Sequence, residues 1–232
     1  MPFLDRRDAG RRLAERLRSF RSLPVVVLGL PCGGIPVAYE IATVLKAPVD
    51  VACVRALSVP YQPPLVFGAL AEDGIEALDE EIIARALISE PERIAVTREQ
   101  RQQLRHTITR FRREHAPVPL EGVTAVIVVD GLDTAVTARA GVAAARARGA
   151  ARVVLAVPVA AARVVRVMAG IADHVICLET PRLFGSIRLW YRDFSDVTDV
   201  EGCALLGRAA PAFAVDPDTH IDVFSSSPVR PG

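Results

Sequence analysis

The stretch that decides the fold is residues 126–137, which read VIVVDGLDTAVT. Its first four residues are apolar and β-branched, so they predict a buried strand that ends at Asp130. A short turn with Thr134 and Thr137 follows, and residues 138–148 have strong helix propensity. A strand, a tight loop and a helix in this order place backbone N–H groups and the positive helix end against a phosphate. We therefore expect an anion site here, with the threonine hydroxyls as further donors and Asp130 facing sugar hydroxyls or a metal-bound water.

A second unit of the same kind lies nearer the N-terminus. Residues 23–30 form an apolar run, residues 31–36 form a turn with Gly33 and Gly34, and a helix is predicted from about residue 37 to 45. The turn lacks the Gly-Lys-Ser/Thr ending of a Walker loop, and a GxGxxG pattern is absent. Because paired glycines allow a backbone to approach a pyrophosphate closely, this turn is a second candidate anion site.

The remaining apolar runs complete the predicted fold. Further strands are predicted at residues 49–55, 152–159 and 173–178, with helices between them. This β-α-β-α-β rhythm predicts an α/β protein with a mostly parallel, doubly wound sheet flanked by helices. Ligands of such sheets bind at the carboxyl ends of the strands, where Asp130 and Gly33 both fall.

Local signals predict several stretches outside the sheet. Residues 58–66 contain three prolines and are expected to form an exposed loop. Ser89 and Glu92 fit a capping box, and a long polar helix is expected over roughly residues 97–114. Its arginines lie among glutamates with few aromatic residues, so a solvated or subunit-facing helix fits better than a nucleic-acid surface. These arginines are Arg98, Arg101, Arg105, Arg110, Arg112 and Arg113. The arginines of an amphipathic helix predicted over residues 5–20 are likewise assigned to solvent.

Composition narrows the functional classes. The chain has 232 residues, 51% of them hydrophobic, and a net charge of +1, so its bulk charge does not point to nucleic acid or a membrane. Its four cysteines have no CxxC spacing, which argues against a zinc site. The N-terminal residues lack the apolar core of a signal peptide, and no apolar run is long enough to span a bilayer. We expect a cytoplasmic protein with a small-molecule ligand and with neither nucleic acid nor membrane as a partner.

The stretch 126–137 resembles the phosphoribosyl pyrophosphate (PRPP) motif of type I phosphoribosyltransferases. That motif is an apolar strand, two consecutive acids, two small or apolar residues, one variable residue and then Thr-Gly-x-Thr. Asp130 matches the second acid, and the two threonines of the turn match the 5′-phosphate loop. The motif is degenerate here, because Val129 stands in place of the first acid and Ala135 in place of the loop glycine.

Two further stretches resemble a bacterial phosphoribosyltransferase-domain subfamily. Residues 28–38 are similar to its pyrophosphate loop, in which the position of Cys32 is usually arginine. The subfamily's next strand ends Val-Arg-Lys-Leu-Gly, and this chain keeps Arg55 but has Ala56 in place of the lysine.

The resemblance extends over residues 5–208. Residues 67–74 match a Gly-Ala-Ile-Ala-Glu-Asp/Gly-Gly stretch beside a mobile hood, and residues 186–194 match a Trp-Tyr-x-Asp-Phe motif. We expect a phosphoribosyltransferase-like domain over residues 1–210 and a poorly ordered tail over residues 211–232. Dimers are common in this family, so the resemblance also implies a possible homodimer.

The resemblance implies a set of site residues. Asp130 would hold ribose hydroxyls and interact indirectly with Mg²⁺ bound to PRPP, and Asp130 and Asp133 would be the catalytic residues. Asp133 stands where hypoxanthine–guanine enzymes carry a general acid or base, but it could instead cap a helix beginning near Thr134. The tryptophan and tyrosine of the last motif could equally belong to the core. The implied substrate-binding residues are Cys32, Gly33, Gly34, Arg55, Asp130, Thr134, Ala135, Val136, Thr137, Trp190 and Tyr191.

Two main interpretations of function remain open. The first is an enzyme that moves 5-phosphoribose from PRPP to a nitrogenous base, with a purine as one candidate, and releases pyrophosphate. The second is an impaired homologue that binds a nucleotide or phosphate in a regulatory or scaffolding role, because Val129, Cys32 and Ala56 depart from the motifs. An unrelated phosphate-ester hydrolase fits the order of the motifs least well. Val129→Asp together with Cys32→Arg is expected from the motifs to raise the affinity for PRPP.

Overall fold

The computed structural model of the protein describes residues 2–113 and 115–209. Within them, a five-stranded parallel sheet has the order β2-β1-β6-β7-β8, and a three-stranded antiparallel sheet has the order β3-β4-β5. The predicted mostly parallel, doubly wound α/β architecture is confirmed. The strands are β1 (Val25–Gly29), β2 (Val49–Val51), β3 (Val54–Val59), β4 (Gln62–Ala71), β5 (Glu76–Leu78), β6 (Thr124–Val128), β7 (Arg152–Val159) and β8 (His174–Glu179). The α-helices are α1 (Arg6–Arg16), α2 (Gly34–Leu45), α3 (Glu80–Arg85), α4 (Glu90–Arg112), α5 (Val136–Ala147), α6 (Ala162–Ala169) and α7 (Asp199–Ala209).

Apolar layers cover both faces of the parallel sheet, and the central strands β1 and β6 are buried throughout. Side chains alternate between the two faces of a strand. Val126 and Val128 therefore pack in the layer that contains α1 and α2, whereas Ile127 and Val129 pack in the layer that contains α5. The same alternation directs Asp130, which follows the strand, toward α1.

The prediction of an exposed loop at residues 58–66 is wrong, because these residues belong to a β-hairpin. β3 and β4 form a hairpin with a two-residue turn at Pro60 and Tyr61. The ladder is irregular beyond that turn, so that Pro63 and Pro64 have no partner residue on β3. Proline has no N–H to donate to a ladder, and it is tolerated in a strand where such a bulge removes the need for one.

The long helix α4 begins at the predicted capping box. The Ser89 side chain accepts a hydrogen bond from the backbone N–H of Glu92, and the Glu92 carboxylate accepts one from the backbone N–H of Ser89. The predicted capping box is confirmed. The helix begins at Glu90 rather than near residue 97, because the capping box satisfies the backbone N–H groups of Ser89 and Glu92 there.

Arg112 connects the end of α4 to β2 of the parallel sheet and to the turn between β4 and β5. Its Nη1 donates to Oδ1 of Asp50 (2.6 Å), and its Nη2 donates to Oε1 of Glu72 (3.0 Å). Asp50 is only 2% exposed and also accepts hydrogen bonds from the backbone N–H groups of Val51 and Val118. The assignment of Arg112 to a solvated or subunit-facing surface is therefore wrong, because a buried acid such as Asp50 needs a cation.

The segment after β8 ends in α7, an element that the local sequence signals did not predict. A Cβ atom on Gly202 of α7 would lie 3.0 Å from Cδ1 of Ile35 and 3.2 Å from Cε1 of Phe111, so α7 packs closely on α2 and α4. The predicted tail at residues 211–232 lies outside the described residues. None of the helices in the described ranges is long and apolar enough to cross a membrane.

Candidate active site

Two helices begin side by side at the carboxyl edge of the sheet. β1 and β6 are neighbours, with Gly29 paired with Val128, and the chain turns from them into α2 at Gly34 and α5 at Val136. Among the described residues, no side chain caps either helix start. The first N–H groups of α5 have no backbone acceptor among the described residues, so they remain as donors at its positive dipole end. At α2 the N–H groups of Gly34 and Ile35 already donate to the carbonyl oxygens of Leu30 (3.0 Å) and Cys32 (3.3 Å), so α2 contributes chiefly its positive dipole end. The structure thus brings the two predicted anion sites together.

The loop at residues 30–34 packs directly on the end of β6. The backbone N–H of Leu30 donates to the carbonyl oxygen of Val128 (2.9 Å). A Cβ atom on Gly34 would collide with that carbonyl, and one on Gly33 would collide with the Asp130 carboxylate. Glycine is therefore needed at both positions, and the loop lies against Asp130.

The Asp130 carboxylate is paired with Arg6 of α1. Nε of Arg6 donates to Oδ2 of Asp130 (2.9 Å), and the two side chains are 10% and 20% exposed. Nη1 of Arg6 donates to the carbonyl oxygen of Ser195 (2.6 Å), and the guanidinium carbon lies 3.9 Å from the ring centroid of Phe194. The Arg6 guanidinium therefore joins the N-terminal helix, the end of β6 and the segment before α7.

Residues near both ends of the described chain pair behind Asp130, in what we term the terminal ladder. The backbone N–H of Phe3 donates to the carbonyl of Trp190 (2.8 Å), and the N–H of Arg192 donates to the carbonyl of Phe3 (2.9 Å). The buried Tyr191 between them donates its hydroxyl to the main-chain carbonyl of Asp130 (2.6 Å). The terminal ladder thus holds the backbone of Asp130, whereas Arg6 holds its side chain.

Burial sets the protonation behaviour of this cluster. It raises the pKa of the Asp130 carboxyl above its ordinary value, and the ion pair with Arg6 offsets part of that rise. Burial and the nearby Asp130 charge also raise the pKa of the Tyr191 phenol. Tyr191 therefore remains a hydrogen-bond donor at neutral pH, and Arg6 favours the ionised form of Asp130.

The turn after Asp130 is held to the end of β7. The backbone N–H of Leu132 donates to the carbonyl of Val159 (3.0 Å), and the N–H of Ala161 donates to the carbonyl of Leu132 (3.0 Å). Asp133 is exposed, and its carbonyl accepts a hydrogen bond from Arg163 (3.3 Å). The turn is therefore anchored at Leu132, while the Asp133 side chain faces solvent.

The predicted phosphate loop surrounds the start of α5. Thr134 and Thr137 are half-buried, and their hydroxyl groups make no hydrogen bond to another described residue. Ala135 occupies the cap position and Val136 is the first helical residue. The alternative in which Asp133 caps this helix is therefore wrong, and the threonine hydroxyls and the first helical N–H groups remain as donors.

Charged residues of other elements surround Cys32 in the loop after β1. Its thiol donates to Oδ1 of Asp199 (3.1 Å), and Oδ2 of Asp199 accepts a hydrogen bond from Arg110 (2.6 Å). Burial and this hydrogen bond raise the pKa of the Cys32 thiol to about 12, whereas the charges of Arg55 and Arg110 act in the opposite direction. Arg55 also donates to Gln100 of α4 (3.2 Å). Cations of β3 and α4 thus lie near the position at which the subfamily usually carries arginine.

The structure separates the predicted site residues into two groups. The loop glycines, Asp130 and the residues from Thr134 to Thr137 lie at the shared edge of β1 and β6. Trp190 lies in the terminal ladder, where its Nε1 donates to the carbonyl of Phe184 (3.1 Å). Tyr191 is a core residue that contacts the site through its hydroxyl alone.

Sequence reasoning missed Arg6, Arg110 and Asp199. Arg6 and Arg110 lie on helices with many arginines, and nothing in the local pattern distinguishes them from their solvated neighbours. Their partners are distant in sequence, because Arg6 contacts Asp130 and Arg110 contacts Asp199. A pattern confined to one helix carries no information on such pairs.

Comparisons with known proteins agree with this geometry. The chain is 46% identical over 228 residues to "Putative phosphoribosyl transferase Rv0571c" of Mycobacterium tuberculosis strain H37Rv, and the same figures hold for MT0597 of strain CDC 1551. It also matches the crystal structure of TT1426 from Thermus thermophilus with a TM-score of 0.74 and 35% identity, over 89% of this chain and 98% of that one. The chain belongs to the type I phosphoribosyltransferase family.

The family relationship does not extend over the whole of the curated relatives. The alignment covers 98% of this phosphoribosyltransferase-family chain but 51% of the Mycobacterium tuberculosis proteins, so the chain spans about half their length. No family model matches the chain.

The degenerate acid position of this phosphoribosyltransferase-family chain faces the core. Val129 is 5% exposed and packs in the apolar layer that contains α5, on the side of the sheet opposite to Arg6. Val129→Asp is therefore expected to lower the free energy of unfolding by about 2–4 kcal/mol, because it buries a carboxylate with no cation beside it. This replaces the expectation from the motifs that the restored acid raises the affinity for PRPP. Chemical denaturation of the variant measures the effect.

Cys32→Arg is the matched comparison for that experiment. Its longer side chain lies next to Asp199, so we expect its stability to stay within about 0.5 kcal/mol of the wild type. Val129→Asp protein that unfolds at the wild-type denaturant concentration and binds PRPP more tightly would contradict the prediction.

Proposed function

We propose that the protein transfers a 5-phosphoribosyl group from PRPP to a nitrogenous base and releases pyrophosphate. The observation that carries this proposal is one partly exposed carboxylate, that of Asp130, between two positive helix ends that no side chain caps. Two anion sites on either side of an acid suit a ribose that carries a 5′-phosphate at one end and a pyrophosphate at the other.

Each part of the site has a role in this reaction. The positive dipole end of α2 and the glycine loop before it would bind the pyrophosphate, with Arg55 and Arg110 contributing positive charge near the loop. The first N–H groups of α5 and the hydroxyls of Thr134 and Thr137 would bind the 5′-phosphate. Asp130 would accept hydrogen bonds from the ribose hydroxyls, and its charge would stabilise the oxocarbenium-like ring that develops as pyrophosphate leaves.

Magnesium would enter this site with PRPP. The described residues hold no group of three or more His, Cys, Asp or Glu side chains that could bind a metal by themselves. Mg²⁺ is usually bound together with substrate phosphates, and Asp130 would act on the ion indirectly, through the PRPP that it binds. The ion would neutralise phosphate charge, while the chain's own residues orient the ribose.

A purine is the acceptor to test first. Asp133 is exposed at the turn beside the proposed 5′-phosphate site, where a carboxylate could exchange a proton with a ring nitrogen of the base. A homodimer and a cytoplasmic location also stay predictions.

A second candidate function is supported by the altered motif positions. Val129 brings no second carboxylate to the site, and Asp130 is already paired with Arg6. A protein of this kind would bind a nucleotide or phosphate in a regulatory or scaffolding role without turnover.

Titration calorimetry with PRPP, with and without Mg²⁺, tests the proposal. We expect micromolar, magnesium-dependent binding that Gly33→Ala weakens at least about 10-fold, because its methyl group displaces the loop from Asp130. Gly170→Ala is the control, since its added Cβ would meet only the carbonyl oxygen of Val167 at an ordinary 3.6 Å.

Two results would decide against the enzyme. Binding of a nucleoside monophosphate or inorganic phosphate without binding of PRPP would favour the second candidate. Wild-type protein that binds PRPP but releases no pyrophosphate with any purine or pyrimidine base would also do so. Gly33→Ala and Gly170→Ala proteins that bind equally well would show that the ligand lies elsewhere.

A further inference from the structure

We propose that Arg6 is a positioning residue for Asp130, and that it holds one carboxylate oxygen so that the other is presented to the ribose hydroxyls. The inference rests on the proposed function, because it concerns how the same site orients its acid. Arg6 lies outside the motifs that identify the family, and its partner is more than 100 residues away in the sequence.

The Arg6 guanidinium is fixed from three sides. Its Nε donates to Asp130, its Nη1 donates to the carbonyl of Ser195, and its face lies on the ring of Phe194. The side chain is 10% exposed, so these contacts replace most of its hydration. By contrast, Arg7 on the same helix is 61% exposed and pairs with Glu40. A guanidinium that is held in this way restricts the rotation of the carboxylate it contacts.

Asp130 is restrained so that one oxygen remains available. Oδ2 accepts the hydrogen bond from Arg6 and lies on the side of Gly33, and the main-chain carbonyl accepts the Tyr191 hydroxyl. Oδ1 accepts no hydrogen bond from another described residue, and the side chain retains 20% exposure. The carboxylate also accepts a hydrogen bond from its own backbone N–H, so the geometry leaves a restrained, partly exposed carboxylate with a defined direction, as a site for a ribose hydroxyl requires.

Charge supports the same role. Of the described titratable groups, Arg6 faces the carboxylate from α1 and Tyr191 faces it from the terminal ladder, and the charge of Arg6 also acts on Asp193. Burial raises the pKa of Asp130, and the charge of Arg6 lowers it. A variant without Arg6 is therefore expected to have a higher pKa at Asp130 than the wild type. The acid form then persists to higher pH, and any binding that needs ionised Asp130 is lost at a higher pH than in the wild type.

A ligand-free measurement tests this inference independently of PRPP. The carboxyl ¹³C signal of Asp130 would be titrated in the wild type and in Arg6→Gln, Arg6→Lys and Arg7→Gln proteins. We expect Arg6→Gln to raise the pKa of Asp130, Arg6→Lys to raise it less, and Arg7→Gln to leave it unchanged. A pKa of Asp130 that returns toward the wild-type value in Arg6→Lys would identify the positive charge as the cause. A purely structural disturbance would not depend on the charge at position 6.

Calorimetry with magnesium PRPP adds the ligand-bound side of the test. Arg6→Gln should weaken binding at least about 10-fold, with a larger loss near pH 6 than near pH 8, and Arg6→Lys should recover part of the loss. Arg7→Gln should bind as the wild type does. If Arg6→Gln does not fold, Arg6→Lys is measured instead. Lysine keeps the positive charge, but it cannot make the hydrogen bonds of both Nε and Nη1.

The outcomes separate this inference from the proposed function. An unchanged pKa of Asp130 in every Arg6 variant would overturn the positioning role even if the protein binds PRPP. A raised pKa in a protein that binds no PRPP would support the positioning role and overturn the proposed function.

Discussion

Asp130→Asn is expected to weaken the binding of magnesium PRPP by about 100-fold or more and to abolish measurable transfer. The amide keeps the size of the side chain but removes the charge that would hold the ribose hydroxyls and stabilise the oxocarbenium-like ring. Each charge-assisted hydrogen bond is worth about 1.5–3 kcal/mol, and two such bonds account for this factor. Calorimetry and a pyrophosphate-release assay measure the two effects separately.

The control must separate loss of the site from loss of the fold. Asp130→Asn also leaves the buried Arg6 guanidinium without its anion, so the melting temperature should be measured in the same samples. Glu99→Gln makes the same chemical change at an exposed position of α4 and should bind PRPP as the wild type does. Equal dissociation constants for Asp130→Asn and the wild type would remove Asp130 from the site.

Arg112→Met is expected to lower the free energy of unfolding by about 3–5 kcal/mol, the largest effect on stability that we anticipate. Methionine fills part of the volume, but it leaves Asp50 buried at 2% exposure without its nearest cation. It also removes the hydrogen bonds from Arg112 to Glu72, which connect the turn between β4 and β5 to α4. Chemical denaturation followed by circular dichroism measures the change.

The neighbouring arginine provides a matched control for this prediction. Arg113 ends the same helix and is exposed, so Arg113→Met should change the free energy of unfolding by less than about 0.5 kcal/mol. A second test combines Arg112→Met with Asp50→Asn. The double variant should recover part of the loss, because Asp50 is otherwise left buried with only the more distant Arg148, at 3.7 Å, beside its charge. Arg112→Met and Arg113→Met proteins of equal stability would show that the buried ion pair does not hold α4 in place.

The parallel sheet could be predicted because its signals are local. β7 was predicted over residues 152–159 and is observed at Arg152–Val159, since an unbroken apolar run with sharp ends is typical of a strand buried on both faces. The capping box at Ser89 could be predicted for the same reason. Both of its partners, Ser89 and Glu92, lie within one helical turn.

Contacts between distant segments could not be predicted in this way. The hairpin at residues 58–66 depends on a bulge in the ladder, which a count of prolines does not reveal. The ion pairs of Arg6 and Arg112 depend on which acids the fold leaves buried without a cation. For the candidate site, the sequence indicated the glycine loop, Asp130 and the phosphate loop, but not the residues that orient Asp130.

The terminal ladder affects the order in which the protein can become functional. Phe3 and Arg6 are made before the parallel sheet, yet their partners Tyr191 and Ser195 are made only after its last strand. Closing so long a segment has a high entropic cost, so these contacts form late, once the sheet has already brought the segments near each other. A nascent chain on the ribosome can therefore assemble β1 and β6 while its acid remains unoriented. We therefore expect the oriented acid only after the segment that contains Tyr191 and Ser195 has been made.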